Sequence, residues 1–274
     1  MRMCRVFGLV SHEPTSVSHE LLHAENPMIR QSEHHDSGWG MAVYERAEGG
    51  EPALVRFPEA AHGGEGFAAA TEKQGRIFNV HVRRATLGGL TLENTHPFCL
   101  GNYTFGHNGT VISYPRLLEF GVTPPRGETD SEAVFNYLMR YFDPADVPGS
   151  LRRAMSAVVA RSAFSGLNFL FSDGECLYAY RLGIFDLHWC ARPGQLLVAS
   201  EKMTGEAWHT VAQDVLLTLD PNDLEEPHAE RLLGDELVER AEIDALEEQK
   251  HLRGSERGAF AAERAARVAA SPTG

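Results

Sequence analysis

Short apolar runs bounded by polar residues or glycine predict a strand-rich first half of the chain. Each run is rich in β-branched and aromatic residues, and the clearest ones span residues 4–10, 38–44, 77–83 and 103–107. Asn108 and Gly109 follow the last of these runs and predict a tight turn there.

Helical spacing of apolar residues replaces this pattern in the middle of the chain. Residues 130–142 and 151–159 predict two helices, and Thr129 is a candidate N-cap for the first. Strand-like runs return at 167–171, 176–181, 185–190 and 196–199, with glycine-containing turns between them. Because such turns are too short for crossover connections, we expect antiparallel hairpins and an α+β fold, with stacked sheets and helices outside.

The last segment, from about residue 225, is rich in Glu, Ala, Leu and Arg. An amphipathic helix is predicted there by apolar residues at helical spacing, namely Leu232, Leu233, Leu237, Ile243 and Leu246. We therefore expect a folded domain over residues 4–224 and an acidic helical extension over 225–274, which should fray after about residue 254.

Composition and charge exclude several classes of function. The 274 residues carry a formal net charge of −13, so binding to nucleic acid is not expected, because a negative surface repels phosphates. No apolar run approaches the roughly 20 residues of a membrane-spanning helix. Four sparse cysteines predict reduced thiols and a cytoplasmic protein. His34, His35 and Asp36 do not form a recognisable ligand set, so no metal or other cofactor is predicted.

Cys4 has two interpretations. A lone cysteine in an apolar strand is usually a small buried hydrophobic residue. At the start of a mature chain, a cysteine instead becomes a nucleophile whose own α-amine serves as the base. That amine titrates near pH 7.7–8.0 in model compounds, so part of it is neutral at cellular pH and can accept a proton.

Three further clusters bear on this choice. Arg83 ends a predicted strand, where it suits a substrate carboxylate or an ordinary surface salt bridge. The Asn108 amide and the Gly109 backbone N–H suit either an oxyanion hole or a plain hairpin turn. Thr129 and Asp130 suit a helix cap, and the Asp130 carboxylate also suits a ligand ammonium.

In this order, the clusters resemble the class II glutamine amidotransferase domain of the N-terminal nucleophile hydrolase superfamily, and its stand-alone bacterial branch most closely. The family's motifs match residues 3–8, 81–86, 107–109 and 128–132, and those of the bacterial branch match 34–40, 93–98 and 172–174.

The resemblance implies a four-layer αββα sandwich and a role for each cluster. Cys4 would attack the side-chain amide of glutamine or of a γ-glutamyl compound. Asn108 and Gly109 would hold the oxyanion, Arg83 would bind the substrate α-carboxylate, and Asp130 would bind the α-ammonium.

The loop after the third strand departs from the family pattern. The resemblance implies that Thr86 lines the pocket. Many synthase-linked members, however, have Trp and His where this chain has Arg84 and Leu87. We expect the Arg84 side chain to face solvent, since adjacent residues leaving a strand point to opposite faces.

The segment after residue 210 has no pattern of a fused synthase, so the expected function is a stand-alone amidohydrolase that forms glutamate and ammonia. A separate ammonia-accepting synthase subunit is one partner that this function allows. Hydrolysis of a γ-glutamyl thiol conjugate and a non-catalytic binding subunit are the alternatives. The two enzymatic alternatives use the same glutamyl head group, and the sequence leaves the oligomeric state open.

Three residues, Met1, Arg2 and Met3, precede Cys4, so its nitrogen is an amide in the chain as written. An amide is not a base near neutral pH. We expect translation from Met3 and removal of that methionine. A cleaved propeptide, or an extended and inactive chain, are the alternatives.

Overall fold

Two antiparallel sheets lie face to face in a computed structural model that describes residues 4–112, 117 and 124–241. The strands are β1 (Arg5–Thr15), β2 (Trp39–Tyr44), β3 (Ala53–Phe57), β4 (Gly75–Val82), β5 (Phe98–Leu100), β6 (Tyr103–Asn108), β7 (Asn168–Ser172), β8 (Leu177–Arg181), β9 (His188–Arg192), β10 (Gln195–Ala199), β11 (His209–Thr210), β12 (Val215–Asp220) and β13 (Asp223–Arg231). Among the described residues, the first sheet has the order β11-β9-β10-β1-β4-β2-β3 and the second β13-β12-β8-β7-β6-β5.

Helices cover the outer face of each sheet. Their bounds are α1 (Met28–Gln31), α2 (Glu65–Thr71), α3 (Asp130–Arg140) and α4 (Val147–Arg161), with a π-helical turn at His19–His23 and a 3₁₀ turn at Ser32–His34. The apolar core that contains α1 and α2 residues is shared with the first sheet, and the core that contains α3 and α4 residues is shared with the second.

Strand β1 illustrates why these layers form. Val6 and Val10 point into the layer between the sheets, whereas Phe7 and Leu9 point into the core under α1 and α2. This period-two alternation serves two apolar layers at once, because successive side chains of a strand face opposite sides. The result is the predicted four-layer αββα sandwich, which is confirmed. None of the described helices is long and apolar enough to cross a membrane.

The start of α3 is fixed by side chains that bind backbone N–H groups. Thr129 caps the helix as predicted, because its Oγ1 accepts a hydrogen bond from the Glu132 N–H at 3.2 Å. The Glu132 carboxylate accepts from the N–H groups of Arg126 and Gly127, at 2.8 Å each. Together these bonds fix the entry into α3 and hence the position of Asp130, its first residue.

The predicted acidic helix from residue 225 is wrong over its first turns, since residues 225–231 belong to β13. This strand pairs with β12, with Val215 opposite Arg231 and Leu217 opposite Ala229. Its Glu-rich composition indicates a helix, but the long-range pairing decides the structure. The folded domain therefore continues beyond residue 224. Residues 235–241 are helical, and the rest of the predicted extension lies outside the described residues.

The tight turn predicted at Asn108-Gly109 lies at a bend at Gly109, directly after β6 ends. It does not close a hairpin, because β6 pairs with β5, which precedes it, and with β7, which begins only at Asn168. The other strands and helices predicted before residue 200 are confirmed with shifted ends, while β3, β5, α1 and α2 carried too little periodicity to be recognised.

Candidate functional site

Cys4 and Arg83 are neighbours across the β1–β4 ladder. Arg5 pairs with Val82 in the antiparallel register, so the residues one step beyond each face one another. The Cys4 thiol, 7% exposed, accepts a hydrogen bond from the Arg84 N–H at 3.3 Å and donates to the Arg84 carbonyl oxygen at 3.4 Å. Arg84 itself is half-buried, and the solvent-facing direction of its side chain stays a prediction.

Burial determines the protonation of this thiol. It raises the pKa of Cys4, while the hydrogen bond from Arg84 and the positive charge of Arg83 act in the opposite direction. The net pKa lies above the usual value, so the thiol keeps its proton near neutral pH. A nucleophile in this place requires a base in contact with it.

The Arg83 guanidinium is 2% exposed and faces backbone carbonyls instead of a carboxylate. Its Nη2 donates to Leu87 O at 2.7 Å and Gly88 O at 3.2 Å, and its Nη1 donates to Gly89 O at 3.0 Å and Ser37 O at 3.4 Å. Arg83 forms no ion pair with any described carboxylate, so the surface salt bridge considered for it is wrong. A buried cation without an anion at contact distance attracts one.

Asn108 and Gly109 lie where β6 ends. Asn108 is 2% exposed, and its Oδ1 has no hydrogen-bond partner among the described residues. At Gly109, an ideal Cβ would lie 1.8 Å from the Gly166 carbonyl oxygen and 2.5 Å from its carbon. The backbone is therefore packed against backbone, and only glycine fits.

We expect the Gly109→Ala variant to lose several degrees of thermal stability or to be insoluble, because the added methyl must displace the Gly166 backbone. Thermal unfolding checks this against the matched variant Gly50→Ala, whose added Cβ meets nothing within 4 Å. Equal midpoints for the two variants would contradict the close packing at Gly109.

Asp130 is buried at the first position of α3 and is bonded to the segment that follows Gly109. Its Oδ2 accepts a hydrogen bond from the Val111 N–H at 2.7 Å. Burial raises the pKa of Asp130, while nearby His107 and the Val111 N–H act to lower it. The exposed Thr86 places its Oγ1 3.4 Å from Thr110 Oγ1, so the loop after β4 touches the segment after β6.

Three buried histidines pack behind the site, and the sequence pattern did not single them out: His81, His96 and His107. The His81 Nε2 lies 3.0 Å from the His107 carbonyl oxygen, and the His96 ring stacks on His81 with centroids 4.1 Å apart. Burial lowers the pKa of His81 to about 3 and lowers those of His96 and His107 as well. The sequence does contain a signal for two of them, because His81 and His107 each lie inside an apolar strand run. A buried imidazole there needs a hydrogen-bond partner.

The structure thus brings Cys4, Arg83, Asn108, Gly109 and Asp130 to one end of the sandwich, with Thr86 on the adjoining loop. A thiol, amide donors and two opposite charges are the components that acyl transfer on a zwitterionic substrate needs. Across the described ranges, no three His, Cys, Asp or Glu side chains are grouped in a way that would hold a metal ion.

The four-layer sandwich is similar to the fold of the N-terminal nucleophile amidotransferases, and Cys4 lies directly before its central strand β1. Within that class, the family model described as glutamine amidotransferases class-II matches residues 3–194, and the chain belongs to this family.

Two relatives illustrate the range of this family. The uncharacterized protein MJ1515 of Methanocaldococcus jannaschii is 31% identical over 203 residues, which is 69% of this chain and 54% of the archaeal protein. YafJ of Escherichia coli, a glutamine amidotransferase by assignment only, is 28% identical over 72% of this chain and 80% of its own length. The chain therefore spans about half the length of the archaeal relative.

Among solved structures, glutamine phosphoribosylpyrophosphate amidotransferase from Bacillus subtilis superposes with a TM-score of 0.63 at 19% identity. The superposition covers 85% of this chain and 50% of that one. At this identity, the likeness shows a shared fold.

Proposed function

We propose that this protein hydrolyses the side-chain amide of glutamine to glutamate and ammonia, with Cys4 as the nucleophile. The observation that carries the proposal is that three groups lie at one end of the sandwich. They are the Cys4 thiol, the buried Arg83 guanidinium, which lacks a carboxylate partner among the described residues, and the buried Asp130 carboxylate. The family membership of the chain supports the same chemistry.

Head-group recognition follows from the two charges. Arg83 would bind the α-carboxylate of the substrate, because a guanidinium offers paired donors to a planar anion. Asp130 would bind the α-ammonium, and Thr86 would line the pocket between them. Opposite charges at these two places select an amino acid over a simple amide.

The reaction itself would take place in two halves. The Cys4 sulfur would attack the amide carbon, and the oxyanion would be held by the Asn108 side-chain N–H and the Gly109 backbone N–H. The nitrogen would leave as ammonia with the proton taken from the thiol, which leaves a glutamyl thioester. Water would then cleave the thioester, releasing glutamate and restoring the thiol.

The base for this chemistry would be the α-amine of Cys4. Because burial raises the pKa of the thiol, an adjacent proton acceptor is needed, and a free α-amine belongs to the same residue. We therefore propose that the mature enzyme begins at Cys4. The released ammonia would escape as such or pass to a separate synthase subunit.

A hydrolysis screen tests this function. Protein shown by intact mass to begin at Cys4 is incubated with glutamine, asparagine and a series of γ-glutamyl amides and thiol conjugates, and glutamate and ammonia are measured. We expect glutamate from glutamine and no product from asparagine, whose amide is one methylene too short to reach the thiol from the same head-group site. Faster release from a thiol conjugate would favour the alternative substrate class, and no glutamate from any compound would contradict both.

A further inference from the structure

A buried imidazole joins the two sheets directly behind the site. His81 lies on β4, two residues before Arg83, and its side chain faces the second sheet. Its Nε2 lies 3.0 Å from the carbonyl oxygen of His107 on β6. Since a carbonyl only accepts hydrogen bonds, the Nε2 of His81 carries the proton and donates it.

His107 extends this connection to α3 and to the segment before β7. Its Nε2 lies 3.1 Å from the Gly166 carbonyl oxygen and must donate to it. Its Nδ1 is then the acceptor, and the Ser131 hydroxyl donates to it at 2.8 Å. Ser131 follows Asp130 in α3, so the same chain of bonds positions the buried carboxylate.

The direction of these bonds is fixed because both rings are neutral. Burial lowers the pKa of His81 to about 3, and it lowers the pKa of His107. The positive charge of nearby Arg83 also opposes a positive charge on the His81 ring. Near neutral pH, the bond from His81 to β6 therefore keeps one geometry.

Acyl transfer requires a fixed distance between the attacking thiol and the oxyanion donors. The thiol of Cys4 belongs to the first sheet, whereas Asn108 and Gly109 belong to the second. Apolar packing between the sheets is not directional, but a hydrogen bond defines a distance and an angle. The next side chain inward on β4, Asn79, also bridges the sheets, with its Nδ2 donating to Leu170 O at 3.3 Å.

We propose that His81 is a positioning residue, whose hydrogen bond to the His107 carbonyl holds Asn108 and Gly109 at the distance from Cys4 that the reaction requires. This inference rests on the proposed glutaminase function. According to this inference, His81 aligns the nucleophile with the oxyanion donors, although it lies outside the substrate pocket. A misplacement of about 1 Å in such an arrangement costs about 10² in rate.

His96 provides a matched control. Its ring stacks on that of His81 with an angle of 15° between the planes, and neither of its ring nitrogens has a hydrogen-bond partner among the described residues. His96 therefore contacts His81 through ring packing, which phenylalanine reproduces. Removing its two unpaired polar atoms should not lower stability.

Steady-state kinetics of glutamine hydrolysis on three variants tests the inference. His81→Phe keeps the ring and loses the donor, so kcat should fall about 10²-fold, while KM stays within about threefold because the head-group residues are intact. His81→Gln keeps an N–H donor of similar reach, so its kcat should be at least tenfold higher than that of His81→Phe. His96→Phe should match the wild type, and thermal midpoints are recorded for all.

Each result decides something different. Wild-type kcat in His81→Phe, a change confined to KM, or a His81→Gln variant no better than His81→Phe would each overturn the positioning role. If His81→Phe does not fold, His81→Asn replaces it, because its amide is too short to reach the carbonyl, and the same loss is expected. An inactive wild type would contradict the proposed function and the positioning role together, whereas an active wild type leaves only the role in question.

Discussion

Replacing Cys4 with alanine should abolish glutamate release while the thermal midpoint stays within a few degrees of the wild-type value. The change removes the sulfur that would attack the amide carbon, the atom that is hydrogen-bonded to the Arg84 backbone. The loss of one buried sulfur atom costs little packing. Glutamate formation and thermal unfolding on the same sample check both parts.

A second buried cysteine makes the comparison specific. Cys190 is fully buried in the core between the first sheet and its helices, so Cys190→Ala removes an equivalent thiol from a place remote from the site. We expect Cys190→Ala to retain turnover and Cys4→Ser to retain a trace, since a hydroxyl is a weaker nucleophile. Unchanged turnover in Cys4→Ala would exclude the proposed mechanism.

The Asn108→Ala variant should lower kcat by about 10²–10³ with little change in KM. The side-chain amide would donate to an oxygen whose negative charge develops only in the transition state, so its loss leaves substrate binding nearly intact. Asn108 is buried at the end of β6, next to Gly109, whose backbone N–H is the second proposed donor. Steady-state kinetics with glutamine measures both constants.

The Arg83→Gln variant should show the opposite pattern. It removes a charge-assisted contact with the α-carboxylate of about 1.5–3 kcal/mol, so KM should rise roughly ten- to a hundredfold with a smaller effect on kcat. Because Arg83 also binds carbonyls of residues 87–89, the thermal midpoint must accompany the kinetics. A kcat defect in Arg83→Gln together with a KM defect in Asn108→Ala would reverse the two assignments.

Strand alternation and helix capping could be predicted because each depends only on residues close together in the sequence. Strand β1 alternates between two apolar layers, and Thr129 precedes α3 with Glu132 three residues later. The order of the motifs around Cys4, Arg83, Asn108 and Asp130 identified the family because it spans most of the domain.

Features decided by distant residues could not be predicted. Strand β13 has a helix-forming composition and becomes a strand only through its pairing with β12. The Asn108-Gly109 pair has the sequence of a hairpin turn, yet Gly109 is required by its packing on Gly166, some 57 positions away. The bond from His81 to the β6 backbone likewise depends on how the two sheets stack.

Catalysis by a Cys4 with a free α-amine is tested most directly by comparing turnover in two forms of the protein that differ only at the N-terminus. One is expressed from Met3, so that removal of the methionine leaves Cys4 with a free α-amine, and the other retains residues 1–3. Intact mass identifies each form, and glutamate release is measured per molecule. We expect activity in chains that begin at Cys4, and full activity in chains that still carry Met1 would contradict a free α-amine as the base.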